Sequence, residues 1–162
     1  MDILTLWTLI KCILPSAFRE KLRGIANVMA QKVSIRVGNL KYKAVDVTSL
    51  YMLLMLRSRR YEPHIQKILC VKPGDVFIDV GAHIGIYTVM MAKRVGKSGL
   101  VIAVEPSLSN FRVLCLNLML NKVSNVVIPI RAAAYSRTTM VNLYIGEDSS
   151  THSIKRLSLI HI

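Results

Sequence analysis

Hydrophobic and polar positions alternate along the chain with two different periods, and the changes of period predict where strands give way to helices. In residues 32–45, KVSIRVGNLKYKAV, apolar Val33, Ile35 and Val37 alternate with polar residues. The pair Gly38-Asn39 then interrupts the alternation before a second, similar run. Alternation on both sides of a glycine-containing turn is typical of a β-hairpin, so we predict one here.

Helical spacing replaces this alternation after the hairpin. Leucines recur between positions 50 and 56 at intervals of one, two and three residues, which predicts a helix from residue 48 that ends in the basic run 57–60. A second, short helix is expected to begin at Pro63, because the fixed φ of proline suits a first helical position. It is expected to extend to Cys70.

From residue 76 onward the pattern repeats in the order strand, helix, strand, helix, strand. The strands are apolar runs without alternation, as in parallel strands that are buried on both faces. The order itself is typical of right-handed βαβ units, so we predict an α/β fold with a parallel sheet and helices on both faces. A further strand, as an antiparallel addition, is expected at residues 140–146, MVNLYIG. The predicted strands are 76–80, the run in SGLVIAVEP and the run in NVVIPIRAAAYS, and the predicted helices are 86–95 and about 109–121.

Composition places this pattern in a compact chain with a hydrophobic core. The chain has 162 residues, of which 52% are hydrophobic and 19% are charged, which suits one folded unit rather than a disordered chain. Its three cysteines are far apart and form no CxxC pair, so neither a zinc site nor a disulfide framework is indicated. We therefore expect no metal site and a reducing, cytoplasmic location.

The net charge of +13 is unevenly distributed. Residues 1–72 hold 13 Lys and Arg against 4 Asp and Glu, whereas residues 73–162 hold 9 against 5. A basic excess favours nucleic acid or an anionic membrane surface as a partner, and a solvated basic face remains the alternative. The apolar segment 3–14 is too short to span a bilayer, so we expect it to pack on the domain or to lie on a membrane surface.

The stretch VFIDVGAHIGIYT, residues 76–88, places a glycine turn and an acid at the carboxyl end of a buried strand, where ligands bind in open parallel sheets. Gly81 allows the backbone to turn sharply against a ligand, and Gly85 allows the next helix to pack close to the strand. Asp79 would accept hydrogen bonds beside this turn. Glu105, at the end of the next strand, is where an acid binds the hydroxyls of an adenosine ribose.

Two nucleotide cofactors compete for this site. A nicotinamide dinucleotide needs G-x-G-x-x-G, but His83 occupies the position of the middle glycine. S-adenosylmethionine carries no phosphate, needs only the close turn and the ribose acid, and tolerates Asp79 near its positive sulfonium. We therefore predict S-adenosylmethionine as the cofactor. His83 could lie beside the cofactor or cap the helix, and we do not assign it as a base.

These motifs resemble those of the FkbM-type methyltransferases, which have the Rossmann-like class I methyltransferase fold. The resemblance rests on KPGDVFIDVGAHIGIYTVMMAKRVGKSGLVIAVEP, on NFRVLCLNLMLNKVSNVVIPIRAA and on the hydroxyl-rich DSSTHS. It implies O-methyl transfer to a hydroxyl of a small molecule or glycan, with the catalytic base unknown. The cofactor residues that it implies are Asp79, Gly81, Ala82, His83, Gly85, Glu105, Pro106 and Ala133.

One departure from the family is the end of the chain at SIKRLSLIHI, before the expected fourth strand. On this basis we expect a basic N-terminal helix and hairpin extension in residues 1–60 and a partial methyltransferase domain in 61–162. The first strand, 76–80, would form an apolar sheet edge that a partner chain could cover. A truncated fragment without activity of its own is therefore expected as one outcome. A non-catalytic basic module that binds nucleic acid or an anionic membrane is the alternative function.

Overall fold

The structure is a computed structural model that describes residues 15–154. The predicted apolar helix within residues 3–14 therefore lies outside the described residues. In the described part, no helix is both long enough and apolar enough to span a membrane. The helices are α1 (Ser16–Lys32), α2 (Val47–Arg57), α3 (Pro63–Ile68), α4 (Ile86–Val95) and α5 (Leu108–Leu120), and the strands are β1 (Ser34–Val37), β2 (Leu40–Lys43), β3 (Val76–Val80), β4 (Leu100–Val104) and β5 (Val127–Ile130).

The predicted β-hairpin is confirmed. Strands β1 and β2 pair antiparallel with Ile35 opposite Tyr42, and Gly38 takes a φ of 57° in the turn. The buried face of the hairpin carries Ile35 and Tyr42 into the same hydrophobic core as Leu53 of α2 and Ile84 of the glycine turn. The hairpin thus packs as part of the core, and the proposed boundary at residue 60 stays a prediction.

Helix α2 has a well-defined beginning, close to the predicted one. The side chain of Asp46 accepts a hydrogen bond from the Ser49 backbone N–H, while the Ser49 hydroxyl oxygen accepts one from the Asp46 N–H. This reciprocal pair is a capping box, which satisfies two backbone donors that a helix leaves free. The helix ends at Arg57, as the leucine spacing predicts.

Strands β3, β4 and β5 form a parallel sheet in that spatial order, which confirms the predicted βαβ pattern. Strand β3 is an edge strand of this sheet. Helix α4 connects β3 to β4, and α5 connects β4 to β5. The carboxyl ends of all three strands consequently lie along one edge of the sheet.

Within the described residues the helices cover one face of this sheet, and the expectation of helices on both faces is not met. On the covered face Val101, Ala103 and Val127 are buried. On the other face the β3 side chains Val76, Ile78 and Val80 are 63%, 60% and 61% exposed. The sheet is therefore apolar on both faces, as its unalternating sequence indicates, but only one face is packed.

Asn117 of α5 and Asn121, which caps its carboxyl end, attach the hairpin to this helix. Asn117 Oδ1 accepts from the Lys43 N–H (2.7 Å), and Asn117 Nδ2 donates to the Lys43 carbonyl (3.1 Å). Asn121 repeats this pattern with the N–H and carbonyl of Lys41. Spaced four residues apart, the two amides lie on one face of the helix and pair with the free edge of β2 as a neighbouring strand would.

The predicted strand at residues 140–146 is wrong. This segment makes a single bridge, in which Tyr144 pairs with Ser153, and forms no ladder. Met140 is 98% exposed and Ile145 is 70% exposed, so its apolar residues find no face of a sheet to pack against. Apolar spacing alone therefore suggested a strand where residues 15–154 offer no partner strand.

Candidate active site

A cavity of about 280 Å³ lies at the carboxyl edge of the parallel sheet, where the sequence predicts the cofactor. This volume lies just below the range of roughly 300–1,000 Å³ that is typical of small-molecule sites. The cavity can therefore enclose part of a nucleoside-sized ligand, while the remainder of the ligand would extend out of the cavity. Its walls are formed by Met52, Tyr61, Gly81, His83, Glu105, Pro106, Asn110, Ser149, Ser150 and His152.

The glycine turn between β3 and α4 forms one wall. The backbone N–H groups of Gly81 and Ala82 both donate to the Val104 carbonyl, at 2.9 and 3.0 Å, which anchors the turn to the neighbouring strand. Gly81 has a φ of 79°, and a Cβ placed on it would meet no atom within 4 Å. Glycine is therefore required for the backbone conformation, and the space beside it is left for a ligand.

Gly85 has a different role at the other end of the same turn. Its φ is 82°, and a Cβ placed there would overlap Leu114 Cδ1 of α5. Gly85 thus permits the close packing of α4 against α5, whereas the sequence predicts that it serves the packing of α4 against the strand. Between the two glycines, His83 also has a positive φ, of 52°. Histidine is one of the residues other than glycine that are enriched in this left-handed region.

Glu105 lies just beyond β4 and is only 4% exposed. Its Oε2 accepts from the His83 N–H at 2.8 Å, and its Oε1 accepts from the Ser107 N–H at 2.9 Å. The Asn110 Nδ2 group lies 3.4 Å from Oε1. A carboxylate has about four acceptor sites. Glu105 is therefore held in place by these donors and retains capacity for a ligand hydroxyl.

Asp79 lies at the end of β3 but contacts a side chain rather than the turn backbone. Its Oδ2 accepts a hydrogen bond from the Thr88 hydroxyl in the first turn of α4, at 2.5 Å. Burial raises the pKa of Asp79, the charge of Glu105 also raises it, and the hydrogen bonds from Thr88 act in the opposite direction. A ligand with a positive charge beside Asp79 would favour its ionised form.

A chain of hydrogen bonds connects the glycine turn to residues far away in sequence. His83 Nε2 lies 2.8 Å from Ser149 Oγ, and Ser149 Oγ donates to Asp46 Oδ1 at 2.9 Å. Because a hydroxyl has one proton, Ser149 must accept from His83, whose Nε2 is therefore the donor. Burial lowers the pKa of His83, although the charges of Glu105 and Asp46 oppose this shift. The lowered pKa favours the neutral imidazole, whose Nε2–H can still donate this hydrogen bond.

Asn110 is the polar side chain of the cavity whose hydrogen bonding is incomplete. It is 2% exposed, and its Nδ2 donates to the Ser149 carbonyl at 3.0 Å. Its Oδ1 is the one buried side-chain oxygen or nitrogen among the described residues that has no hydrogen-bond partner. An unpaired buried acceptor is unfavourable, so a donor from a ligand would complete the site.

The residues present fit the adenosine part of S-adenosylmethionine. The open space beside Gly81, the fixed carboxylate of Glu105 and the unpaired Asn110 Oδ1 together offer a close backbone approach and two acceptors for ribose hydroxyls. Four of the predicted cofactor residues line the cavity, namely Gly81, His83, Glu105 and Pro106. Asp79, Ala82 and Gly85 belong to the strand end and the turn but do not line the cavity. Ala133 lies three residues beyond β5 and is not part of the cavity wall.

Sequence reasoning missed Met52, Tyr61 and Asn110 and assigned no role to the serines and His152 of DSSTHS. Asn110 follows Glu105 by five residues and is the first residue of the motif NFRVLCLNLMLNKVSNVVIPIRAA, so its type and position could have been used to predict it. Met52 and Tyr61 carried no signal, because they belong to a helix and a loop that precede the glycine turn.

A model of the family described as TRM5/TYW2 methyltransferase domain matches residues 38–142. TYW2 of M. jannaschii, solved in complex with AdoMet, is 29% identical, with 63% of this chain and 43% of that chain covered and a TM-score of 0.49. A SAM-dependent O-methyltransferase from Thermotoga maritima is 30% identical, with 43% and 26% covered and a TM-score of 0.40. This chain thus spans less than half the length of each. A comparison with curated proteins gives no match.

The family match does not support the specific resemblance to FkbM-type enzymes. The physical reason lies in the motifs themselves. A glycine turn after the first strand and an acid after the second are what any S-adenosylmethionine site at this sheet edge requires. These residues therefore identify the class I fold and its cofactor, whereas the family within the class depends on the rest of the sequence.

Proposed function

Because the chain belongs to the TRM5/TYW2 family of S-adenosylmethionine-dependent methyltransferase domains, we propose that it binds this cofactor beside Glu105 and methylates RNA of the transfer-RNA class. The cofactor supplies an electrophilic methyl group. The chain's own contribution is to hold the ribose at Glu105 and to orient the acceptor, which accelerates transfer by positioning.

The observation that carries the RNA proposal is a group of cations next to the cavity. Arg57 is the last residue of α2, Arg59 and Arg60 follow shortly after it, and Tyr61, the next residue, lines the cavity. All three arginine side chains are exposed. In the described part of the chain they make no ion pair or side-chain hydrogen bond, so they are free to contact phosphates. We call these three residues the arginine cluster.

Binding of a transfer-RNA mixture tests this proposal when wild type is compared with the triple alanine variant of the arginine cluster. Each lost phosphate contact removes about 0.7–0.9 from the slope of log K against log salt, so the variant should have a slope shallower by roughly 2–3. The matched control is the triple alanine variant of Lys72, Lys93 and Lys97, exposed cations at the opposite, amino-terminal edge of the sheet. Equal losses in the two variants would contradict a docking surface at the cavity.

Methyl transfer is measured with radiolabelled S-adenosylmethionine and the same RNA. We expect label in RNA with wild type and much less with Glu105→Ala. Failure of wild type to label any RNA, while it still binds S-adenosylhomocysteine, would contradict the substrate class and leave the cofactor site intact.

We also propose a hydroxyl as the acceptor, as expected from the sequence. Digestion of labelled RNA to nucleosides decides this point. A 2′-O-methylated nucleoside supports it, and a base-methylated nucleoside contradicts it.

Separately, the free cysteines Cys70 and Cys115 support our proposal of a cytoplasmic location.

A further inference from the structure

Ser149 is the one buried residue of the described segment 140–154, and all of its polar groups are used. Its N–H donates to Asp46 Oδ2 at 2.8 Å, and its hydroxyl donates to Asp46 Oδ1 at 2.9 Å. Its hydroxyl oxygen accepts from His83 at 2.8 Å, and its carbonyl accepts from Asn110 at 3.0 Å. One residue thus joins the cap of α2, the glycine turn and α5.

Two of these three partners also contact the ribose-binding acid. His83 donates its backbone N–H to Glu105 Oε2, and Asn110 Nδ2 faces Glu105 Oε1. Ser149 therefore fixes the side chain of His83 and the amide orientation of Asn110, both of which contact Glu105. With Asn110 Nδ2 directed to the Ser149 carbonyl, Oδ1 is the atom left without a partner.

Other hydrogen bonds of the segment are local, since Asp148 pairs with Ser150 and Thr151 and the Gly146 N–H donates to His152. Tyr144 and Ser153 form an isolated bridge, and Glu147 makes a surface ion pair with Arg23 at 3.5 Å. Exposed ion pairs contribute little to stability. The contacts of the segment with the core are thus concentrated at Ser149, and they lie against the cavity.

We propose that residues 146–153 form a wall of the cofactor site and that Ser149 is a positioning residue, which holds His83 and Asn110 against Glu105 so that Asn110 Oδ1 receives a ribose hydroxyl. The inference rests on the proposed function, because it adds residues to the same cofactor site. Asp46, 103 residues earlier in the chain, becomes the anchor of that wall.

The first experiment is calorimetric titration of the full chain with S-adenosylhomocysteine. Loss of the Ser149 hydroxyl removes two hydrogen bonds of this network, so Ser149→Ala should bind about tenfold more weakly. Ser149→Thr keeps the hydroxyl and should recover most of the affinity. Ser58→Ala is the control, because among residues 15–154 the exposed Ser58 hydroxyl bonds only to the carbonyl of Met55 in α2. Wild-type affinity in Ser149→Ala would overturn the proposal.

The second experiment is hydrogen exchange of the wild-type chain, which needs no variant to fold. Ligand binding should slow exchange in residues 146–153 as well as in the glycine turn, because coupling between wall and ligand is reciprocal. Slowing in the glycine turn alone would overturn the role of the wall and leave the proposed cofactor site standing. Absence of wild-type binding in both experiments would overturn the cofactor site and this inference together.

Discussion

Asn110 and Asn117 lie two helical turns apart on the same face of α5, and both are almost completely buried. Asn117 has both of its polar atoms paired, through bonds to the Lys43 N–H and carbonyl and to the Ile84 carbonyl. Asn110 has an unpaired Oδ1. The same residue type on one helix therefore serves the fold at one end and leaves an acceptor for a ligand at the other.

This comparison separates a structural side of the molecule from a ligand-binding side. On the structural side buried polar groups find partners within the chain, as almost all do in folded proteins. On the ligand side, at the carboxyl edge of the sheet, Gly81 leaves open space and Asn110 leaves an unpaired acceptor. Substitutions on the structural side should mainly reduce stability, and substitutions on the ligand-binding side should mainly reduce cofactor affinity.

The largest expected effect is that of Asn117→Ala. It leaves the Lys43 N–H, the Lys43 carbonyl and the Ile84 carbonyl without their partner, and each unpaired buried group costs about 1–3 kcal/mol. We expect a loss of about 3 kcal/mol in the free energy of unfolding, measured by urea denaturation. Asn110→Ala should lose about 1 kcal/mol but weaken S-adenosylhomocysteine binding. Equal stability losses in the two variants would remove the distinction.

Gly85→Ala and Gly81→Ala make the same comparison on the glycine turn. Both place a side chain at a positive φ, which costs roughly 1–2 kcal/mol. Gly85→Ala also forces a Cβ into Leu114, so we expect a total loss of about 2–3 kcal/mol. Gly81→Ala should lose less stability and more affinity, because its Cβ enters the cavity. Thermal unfolding with and without ligand distinguishes the two, and an unaltered ligand-induced shift in Gly81→Ala would contradict the assignment.

Asp46 connects the two sides, and its effect should depend on pH. Burial alone would raise its pKa, but hydrogen bonds from Ser49 and Ser149 outweigh burial and lower the pKa below its ordinary value. Its stabilising effect is therefore present above the unfolded pKa of about 3.9 and is lost as the pH falls through the folded pKa. Asp46→Asn should be less stable than wild type by about 1 kcal/mol at pH 7, as for other lost helix caps.

The measurement for Asp46 is urea denaturation of both proteins between pH 3 and pH 7. The difference in stability should shrink as the pH falls below about 4, where the Asp46 carboxylate of the unfolded chain becomes protonated before that of the folded chain. A difference that does not vary with pH would show that shape rather than charge matters at this position.

Asp79→Asn should have the smallest effect on stability and the opposite sign. Since burial raises the pKa of Asp79, the folded chain disfavours its charge, and this cost is present at pH values above the unfolded pKa. Removal of the charge should stabilise the chain by about 0.5 kcal/mol at pH 7, at the low end of stabilising substitutions. The same variant should bind S-adenosylmethionine more weakly. A loss of stability at pH 7 in thermal unfolding would contradict this account of Asp79.

The sequence by itself determined the hairpin, the βαβ units, the glycine turn and the place of Glu105, because each depends on local periodicity or on a backbone conformation that few residues tolerate. Only the tertiary structure decided that helices cover one face of the sheet, that residues 140–146 form no ladder, and that Ser149 meets Asp46. Asn110 and Asn117 are the same residue type on the same face of one helix, so the sequence could not show which of them is fully paired. Whether a buried amide is satisfied depends on partners distant in sequence, which only the packing of the whole chain brings together.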